Sequence, residues 1–549
     1  MKRLLFAIAL LSLWSCGGGN SNNQSGQTTK LKTFRYNQTG GLTSLDPVFA
    51  GTRANIWAVT QIYNGLFDFT KNLDPHKALA KEYEISPDGK VYTFTIKDGI
   101  YFHDNPCFPN GKGREVKAED FVRSFKRLLT LGTGKWIFND KVLKAADGMP
   151  SDTCFKVVND HTFKIYLQRR FPAFLHILAT PYTYVVPEEA IDKYGDDLGR
   201  NPVGTGPFML KKGYWDEKNK MVLHKNPKYW KTDSKTHQPL PHLDVVEVSF
   251  VEDRNTEFNM FYKGDLDLVV NLSEQSREIV LEKTGEVKDK FAGKFKVEKI
   301  PYMLTEYIGF KIDDKDSPFY KLKVRQALNY AVNRKGLISL LRYGLGVAGE
   351  AGFVPIALPS FDSTQVKGYV YNTKKAEELL KEAGYPGGQG LPQLTLYTYT
   401  TDREIAEYLQ KDFEKIGVKI KIEMNKFSAH SAMVKEGKAG MFRASWIGDY
   451  PDAENFLALY YTKNASPEGP NTTKFTNPEY DKLFEEAHET DNPFTRFADY
   501  QKMDKILMEN SPVIVLYYDE ILHMKQNYVI GLEADVMNNL MLENVDIKK

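Results

Sequence analysis

At 549 residues the chain exceeds one ordinary hydrophobic core, so two or three lobes are expected. The formal net charge of +2 leaves no broad basic footprint, which argues against nucleic acid as a partner. A composition of 42% hydrophobic and 26% charged residues is that of a soluble globular protein.

The first residues, MKRLLFAIALLSLWSC, run from a basic start through an apolar stretch to Cys16. That stretch is shorter than the ~20 residues needed to cross a bilayer, so residues 1–15 read as a secretory signal. Leu13-Trp14-Ser15-Cys16 resembles a bacterial lipobox, with Trp14 where a small residue is usual. The resemblance implies cleavage before Cys16 and lipidation of its thiol; an ordinary signal peptide is the alternative. Residues 16–30, rich in Gly, Ser, Asn and Gln, bury too little apolar surface to fold and form a flexible tether. The expected location is periplasmic, lipid-anchored to a membrane. Cys107 and Cys154 are then the remaining thiols, and an oxidising compartment favours their pairing, with two free buried thiols as the alternative. Neither has zinc-ligand spacing, and no metal or cofactor is called for.

After a short strand and the Asp46-Pro47 break, Ile56, Val59, Ile62 and Tyr63 recur at helical spacing. Two alternating strands flank the turn Ser86-Pro87-Asp88-Gly89. AEDFVRSFKRLL places Phe121, Val122, Phe125 and Leu128 on one face, with acid at its start and base at its end, as the helix dipole favours. NTEFNMFYKGDLDLVV is expected as a helix, the stretch from Phe295 as a strand, and LKVRQALNYAVNRKGLISLLRYG as one long helix with Val324, Ala327, Leu328 and Ala331 inward. Helix and strand then alternate to about residue 425, the pattern of an α/β lobe with a largely parallel sheet, and a helix over TRFADYQKMDKILMEN precedes the strand PVIVLYYDEIL.

The stretch MFRASWIGDYPD, Met441 to Asp452, puts an arginine, a tryptophan and two aspartates into an apolar run that breaks at Gly448 and Pro451. A strand ending in a turn presents backbone, an aromatic wall and opposite charges together, which suits a zwitterionic ligand better than a catalytic step. Taken singly, Trp446 also reads as a core aromatic, Asp449 as a turn cap and Arg443 as an ion-pair partner; Asp452 reads as part of the turn. His103-Asp104, at a hairpin end, reads as structural.

The order of SLDPVFAGTRANIWAVTQIYNGL, EYEISPDGKVYTFTIKDGIYFHD, VKAEDFVRSFKRL, NPVGTGPFML, HKNPKYW, VRQALNYAVNRKGLI, FEKIGVKIKIEM and WIGDYPDAENFL resembles the solute-binding proteins of peptide ABC transporters, the oligopeptide/dipeptide/nickel class. The insert NPCFPNGKGRE, carrying Cys107, departs from the family pattern, and a second departure around Cys154 strengthens the expectation of a local disulfide. The resemblance implies a two-lobed α/β periplasmic binding protein. A discontinuous first lobe would span 31–77, 205–297 and 523–549, with an extra subdomain at 78–204 and a second lobe at 298–522. Crossing strands near Phe295 to Phe310 and Pro512 to Tyr518 would form a hinge that closes on ligand.

By the same resemblance, Asp449 matches the aspartate that holds a peptide amine and Trp446 the tryptophan beside it. Ser445 and Ile447 match positions whose backbone pairs with ligand, and Arg443 a basic residue that in some members reaches the carboxylate. Gly51, Thr52 and Arg53 match the loop on the other lobe that pairs with the opposite peptide edge. The expected function is capture of short peptides for a membrane permease, without catalysis, by a monomer. A nickel chelate, an oligosaccharide or a modified peptide is the alternative cargo, and only His430 lies near Trp446 for a metal role. A surface adhesin or signalling receptor on the same fold is a further alternative. A secreted hydrolase is the rival class, but no GxSxG elbow or HExxH helix appears.

Overall fold

The computed structural model describes residues 31–132 and 134–548; the expected signal segment 1–15, the expected tether 16–30 and Cys16 lie outside the described residues. One mixed sheet of eleven strands runs through the described chain. From one edge its order is Ile420–Asn425, Leu394–Tyr399, Met441–Ile447, Lys296–Phe310, Val513–Lys525, Leu268–Val270, Thr33–Asn37, Val245–Ser249, Lys220–Lys225 and Phe208–Asp216, with Val347–Ala348 alongside Val513–Lys525. Two long antiparallel strands, Lys296–Phe310 and Val513–Lys525, form its middle. They pair continuously from Lys296 to Pro301, slip, and pair again from Thr305. The sheet is mixed where a largely parallel one was expected. Leu394–Tyr399 is parallel to both of its neighbours, but Met441–Ile447 meets Lys296–Phe310 antiparallel.

The apolar run VIVL at the start of Val513–Lys525 has a simple cause. Val513 and Val515 enter one core with Tyr307 and Phe442, while Ile514 and Leu516 enter another on the opposite face with Ile308 and Met441. A strand covered on both faces needs apolar residues at every position. On the other side of the long pair, Phe34, Tyr36, Val246 and Val248 join a third core.

That third core continues into a separate four-stranded antiparallel sheet, Ala80–Ile85, Val91–Ile96, Thr162–Tyr166 and Phe155–Asn159. The hairpin turn is closed by Gly89 at φ 69°, a left-handed conformation that glycine takes at no steric cost. Helix Ala118–Thr130 buries Phe121, Val122, Phe125 and Leu128, as the spacing predicts, with Phe121 stacked on Phe163. Its amino end is closed by the Asp120 carboxylate, which accepts the Lys117 N–H and holds Arg114 at 2.7 Å.

Three expectations need correction. The long helix is two, Leu322–Ala331 and Arg334–Arg342. Val332 is extended, and the Asn333 side chain caps the second helix by accepting the Gly336 N–H; asparagine competes in this way for backbone groups that a continuous helix would use. The helix over NTEFNMFYKGDLDLVV stops at Lys263, where Gly264 turns left-handed, and Leu268–Val270 is a strand.

The expected Cys107–Cys154 disulfide is not formed, and both are free thiols. Cys154 is buried beside the strand Phe155–Asn159, its carbonyl accepting the Tyr166 N–H, whereas Cys107 lies in a loop facing Glu189, Lys193 and Arg114. Burial pushes each thiol up to about 11, so both are poor nucleophiles. Thiol titration of denatured protein whose chain starts after Cys16 is expected to count both sulfhydryls with or without prior reductant. Sulfhydryls appearing only after reduction would restore the disulfide.

Candidate functional site

The strand Met441–Ile447 uses one edge fully. It pairs with Lys296–Phe310 from Leu304↔Ile447 to Phe310↔Met441. Its other edge meets Leu394–Tyr399 only at Met441 and Phe442. The Gly448 N–H donates to the Met303 carbonyl at 2.9 Å, which fixes the alternation of the ladder. Ala444 and Trp446 therefore bond towards Lys296–Phe310, and the backbones of Arg443, Ser445 and Ile447 face outward. The outward Arg443 carbonyl is taken by buried His430 at 2.8 Å. Beyond it, no strand among the described residues pairs with the N–H and C=O groups of Ser445 and Ile447. Both side chains are exposed, Ile447 at 51%.

Immediately after this open edge, the half-buried Asp449 has no cation within ion-pair distance among the described residues. Its backbone N–H donates to Asn455 Oδ1 at 3.1 Å and its Oδ2 accepts from Asn455 Nδ2 at 3.4 Å. Burial pushes the carboxyl up to about 7, opposed only in part by the Asn455 amide. The same Asn455 Oδ1 receives the Trp446 indole N–H at 2.9 Å, so one amide sets both the ring and the carboxylate. Asp452 serves the turn, accepting the Glu454 N–H at 2.9 Å and pairing with Arg496.

Arg443 forms the ion pairs of the alternative reading. It is 3% exposed, paired with Glu306 and with Asp402 at 3.3 Å, and donates to the Tyr307 and Ala444 carbonyls. With carboxylates on two sides, its guanidinium is charge-paired within the fold, while its Nε lacks a hydrogen-bond partner among the described residues.

Gly51 and Thr52 are exposed at the start of helix Arg53–Ile62, where Thr52 caps by accepting the Asn55 N–H. Arg53 lies 5.4 Å from the Trp57 ring centre and has no carboxylate within ion-pair distance among the described residues. Its pKa is lowered by burial and then by neighbouring Arg254, with Tyr302 and Glu257 opposing. This end is tied to the Asp449 end through Lys296–Phe310. Tyr302 neighbours Arg53, and the next residue, Met303, accepts from Gly448 N–H and donates its own N–H to the Val536 carbonyl at 2.8 Å. The Trp57 indole reaches the same C-terminal segment, donating to Asn538 O at 2.6 Å. The arrangement is bipolar, with an unpaired carboxylate on one side of the long strand and an unpaired guanidinium on the other.

Sequence reasoning missed Asn455, Tyr302 and Trp136, whose ring meets Trp446 edge-on at 6.4 Å. Asn455 lies inside a quoted motif; nothing in the sequence marks the other two. His103 is buried with Nε2 3.0 Å from Gly206 O, and Asp104 pairs with Lys112 and Lys228, consistent with a structural role.

Comparison with known proteins agrees with this architecture. Residues 74–468 match the family model of the bacterial extracellular solute-binding proteins, family 5. The glutathione-binding protein GsiB of Salmonella typhimurium is 28% identical over 512 residues, covering 92% of this chain and 93% of the relative. Among solved structures, DppA of Helicobacter pylori in complex with the peptide STSA superposes with a TM-score of 0.76 at 25% identity, covering 94% of this chain and 98% of that one. HbpA2 of Haemophilus parasuis gives 0.79 at 24% identity, with 94% and 100% covered. The fold is thus that of the two-lobed periplasmic binding proteins. The chain belongs to the bacterial extracellular solute-binding proteins, family 5, the ligand-capturing components of ABC importers.

Proposed function

We propose that the protein captures short peptides in the cleft between its lobes and passes them to a membrane permease, with no covalent chemistry of its own. The observation that carries this reading is the open backbone edge at Ser445 and Ile447 ending at an unpaired Asp449. An extended peptide adds a strand to such an edge, gaining affinity from its constant main chain while its side chains vary. Its ammonium meets Asp449 beside Trp446, and its carboxylate end lies towards Arg53, with Gly51 and Thr52 on the same loop. Charge-assisted hydrogen bonds at both ends make free peptides preferable to internal segments of a protein.

The lobes are the segments 31–77, 205–297 and 523–549 for the first, with the subdomain 78–204, and 298–522 for the second. The long strands Lys296–Phe310 and Val513–Lys525 act as the hinge, and their pairing slip between Pro301 and Thr305 lies at the Tyr302–Met303 junction of the site. Lipid attached to Cys16 holds a monomer at the membrane through the tether 16–30.

A second reading is favoured by one observation. Besides Arg53, Arg254 and Arg277 stand near the hinge strand without a carboxylate within ion-pair distance among the described residues, and Arg277 Nε is buried without a partner. A ligand with two carboxylates and one ammonium, such as the glutathione named for the Salmonella relative, would find guanidiniums here that no carboxylate of the described residues contacts directly. Calorimetry with synthetic tripeptides and with reduced glutathione, followed by mass spectrometry of the recovered ligand, tests both. Saturable binding with intact ligand is the expected result for one of them. Binding of neither, co-purification of a nickel chelate or an oligosaccharide, or cleavage of the peptide would overturn the proposal.

A further inference from the structure

Resting on the peptide reading, we infer that Trp136 is a specificity-determining residue: it stands against Trp446 and sorts ligands by the side chain lying over that indole pair. The short helix Lys135–Asn139 that carries Trp136 is firmly placed. Ile137 and Phe138 are buried, and the Phe138 ring stacks on Phe155 and Phe174 at 6.0 and 5.8 Å. Before the helix, Gly134 lies so close to the Tyr182 ring that an added Cβ would come within 2.4 Å of it. With its neighbours turned inward, Trp136 is left 47% exposed. An indole carries a large apolar surface on only two rotatable bonds, so a half-open one on a rigid support offers a ligand contact area at little ordering cost.

What it touches gives the reason. Its edge meets Trp446, the ring that Asn455 holds beside Asp449. A second contact fixes the register of the two segments. Lys141, just past the helix, lies 3.8 Å from Glu454, and both side chains are nearly buried. The Lys141 ammonium also sits 4.2 Å from the Phe171 ring centre, and Phe171 meets Tyr450 edge-on at 6.1 Å. Tyr450 in turn donates its hydroxyl to Glu454. The stretch from Trp136 to Lys141 thus runs along the stretch from Trp446 to Glu454. The ion pair with its aromatic neighbours holds one end, and the exposed indole is presented at the ligand end.

A peptide extended along Ser445–Ile447 turns alternate side chains towards the face that carries Trp446. The one nearest Asp449 then packs against two touching indoles from different parts of the chain. Trp446 is fixed by hydrogen bonding and serves every ligand, whereas Trp136 has no polar partner among the described residues and acts by shape alone.

The test is calorimetry of the full mature chain with synthetic tripeptides differing only at the first or second residue, as Gly, Ala, Leu and Phe. The expected result is that Trp136→Ala flattens the preference at one of these positions by about tenfold, the usual scale for an apolar pocket contact. Affinity for trialanine should stay within about threefold, and Trp136→Phe should keep an intermediate preference. Equal loss for every peptide, or unchanged ratios, would overturn the role, and thermal melts of both variants show whether folding is intact. If the panel binds, Asp449→Asn abolishes binding and Trp136→Ala leaves all ratios in place, the inference fails and the peptide reading stands. If no tripeptide binds the unmodified protein, the reading and the inference fall together.

Discussion

Replacing Asp449 by asparagine is expected to weaken peptide binding by about 2–5 kcal/mol, from about thirtyfold to a few thousandfold. The side chain keeps its size and its contact with Asn455, so the change removes the charge and little else. The pH dependence sharpens the test. Burial holds the carboxyl at about 7, so near neutrality a large fraction is protonated and cannot take an ammonium. Binding requires the ionised form, so affinity should fall as pH drops below 7, approaching tenfold per unit once the acid form dominates. On the alkaline side it should fall again as the peptide amine, with a pKa of about 7.7–8.0, loses its proton. Asp449→Asn should remove the acid limb and leave the alkaline one weak. Calorimetry from pH 5 to 9 reads both, and unchanged affinity in the variant would rule Asp449 out as the amine anchor.

Arg443→Met is expected to act on stability instead. The substitution strands Glu306 and Asp402 without their cation, and breaking a buried pair from one side costs about 3–5 kcal/mol. Burial already raises Glu306 above the ordinary carboxylate range, and Arg443 is the main influence opposing that rise. Without the arginine the folded-state pKa climbs further. A group that binds its proton more tightly when folded loses stability as pH rises, beginning near the unfolded value of about 4.3. The deficit of the variant should therefore be smallest at acid pH and grow towards neutrality. Urea midpoints at pH 4.5 and 7.5 test this, and adding Glu306→Gln should recover part of the loss. A variant with unchanged midpoints but weaker peptide binding would return Arg443 to the ligand.

The sequence revealed most where short-range chemistry decides. The turn at Ser86 to Gly89, the amphipathic face of Ala118–Thr130 and the doubly covered run at Val513 each follow from local pattern. It failed where one side chain outcompetes a periodic signal, as Asn333 does by capping a second helix inside a continuous apolar stripe. Within the candidate site, Asp449 and Trp446 stand out in the sequence because they sit in one motif with their turn. The ion pairs of Arg443 were not legible because its partners Glu306 and Asp402 come from other strands and loops, and no local pattern announces an ion pair across a sheet. Trp136 was invisible for a related reason: its meaning depends on a ring more than half the chain away.

The central sheet also constrains how the molecule is made. Thr33–Asn37 pairs with Leu268–Val270, which needs Val513–Lys525 on its other side. Helix Arg53–Ile62 is fastened by Trp57 and Gln61 to the carbonyls of Asn538 and Leu540, and Lys32 reaches Asp546. Residues early in the described chain thus finish their contacts only with residues from 513 onwards, so the central sheet closes through pairings of very high sequence separation, the kind that form slowly.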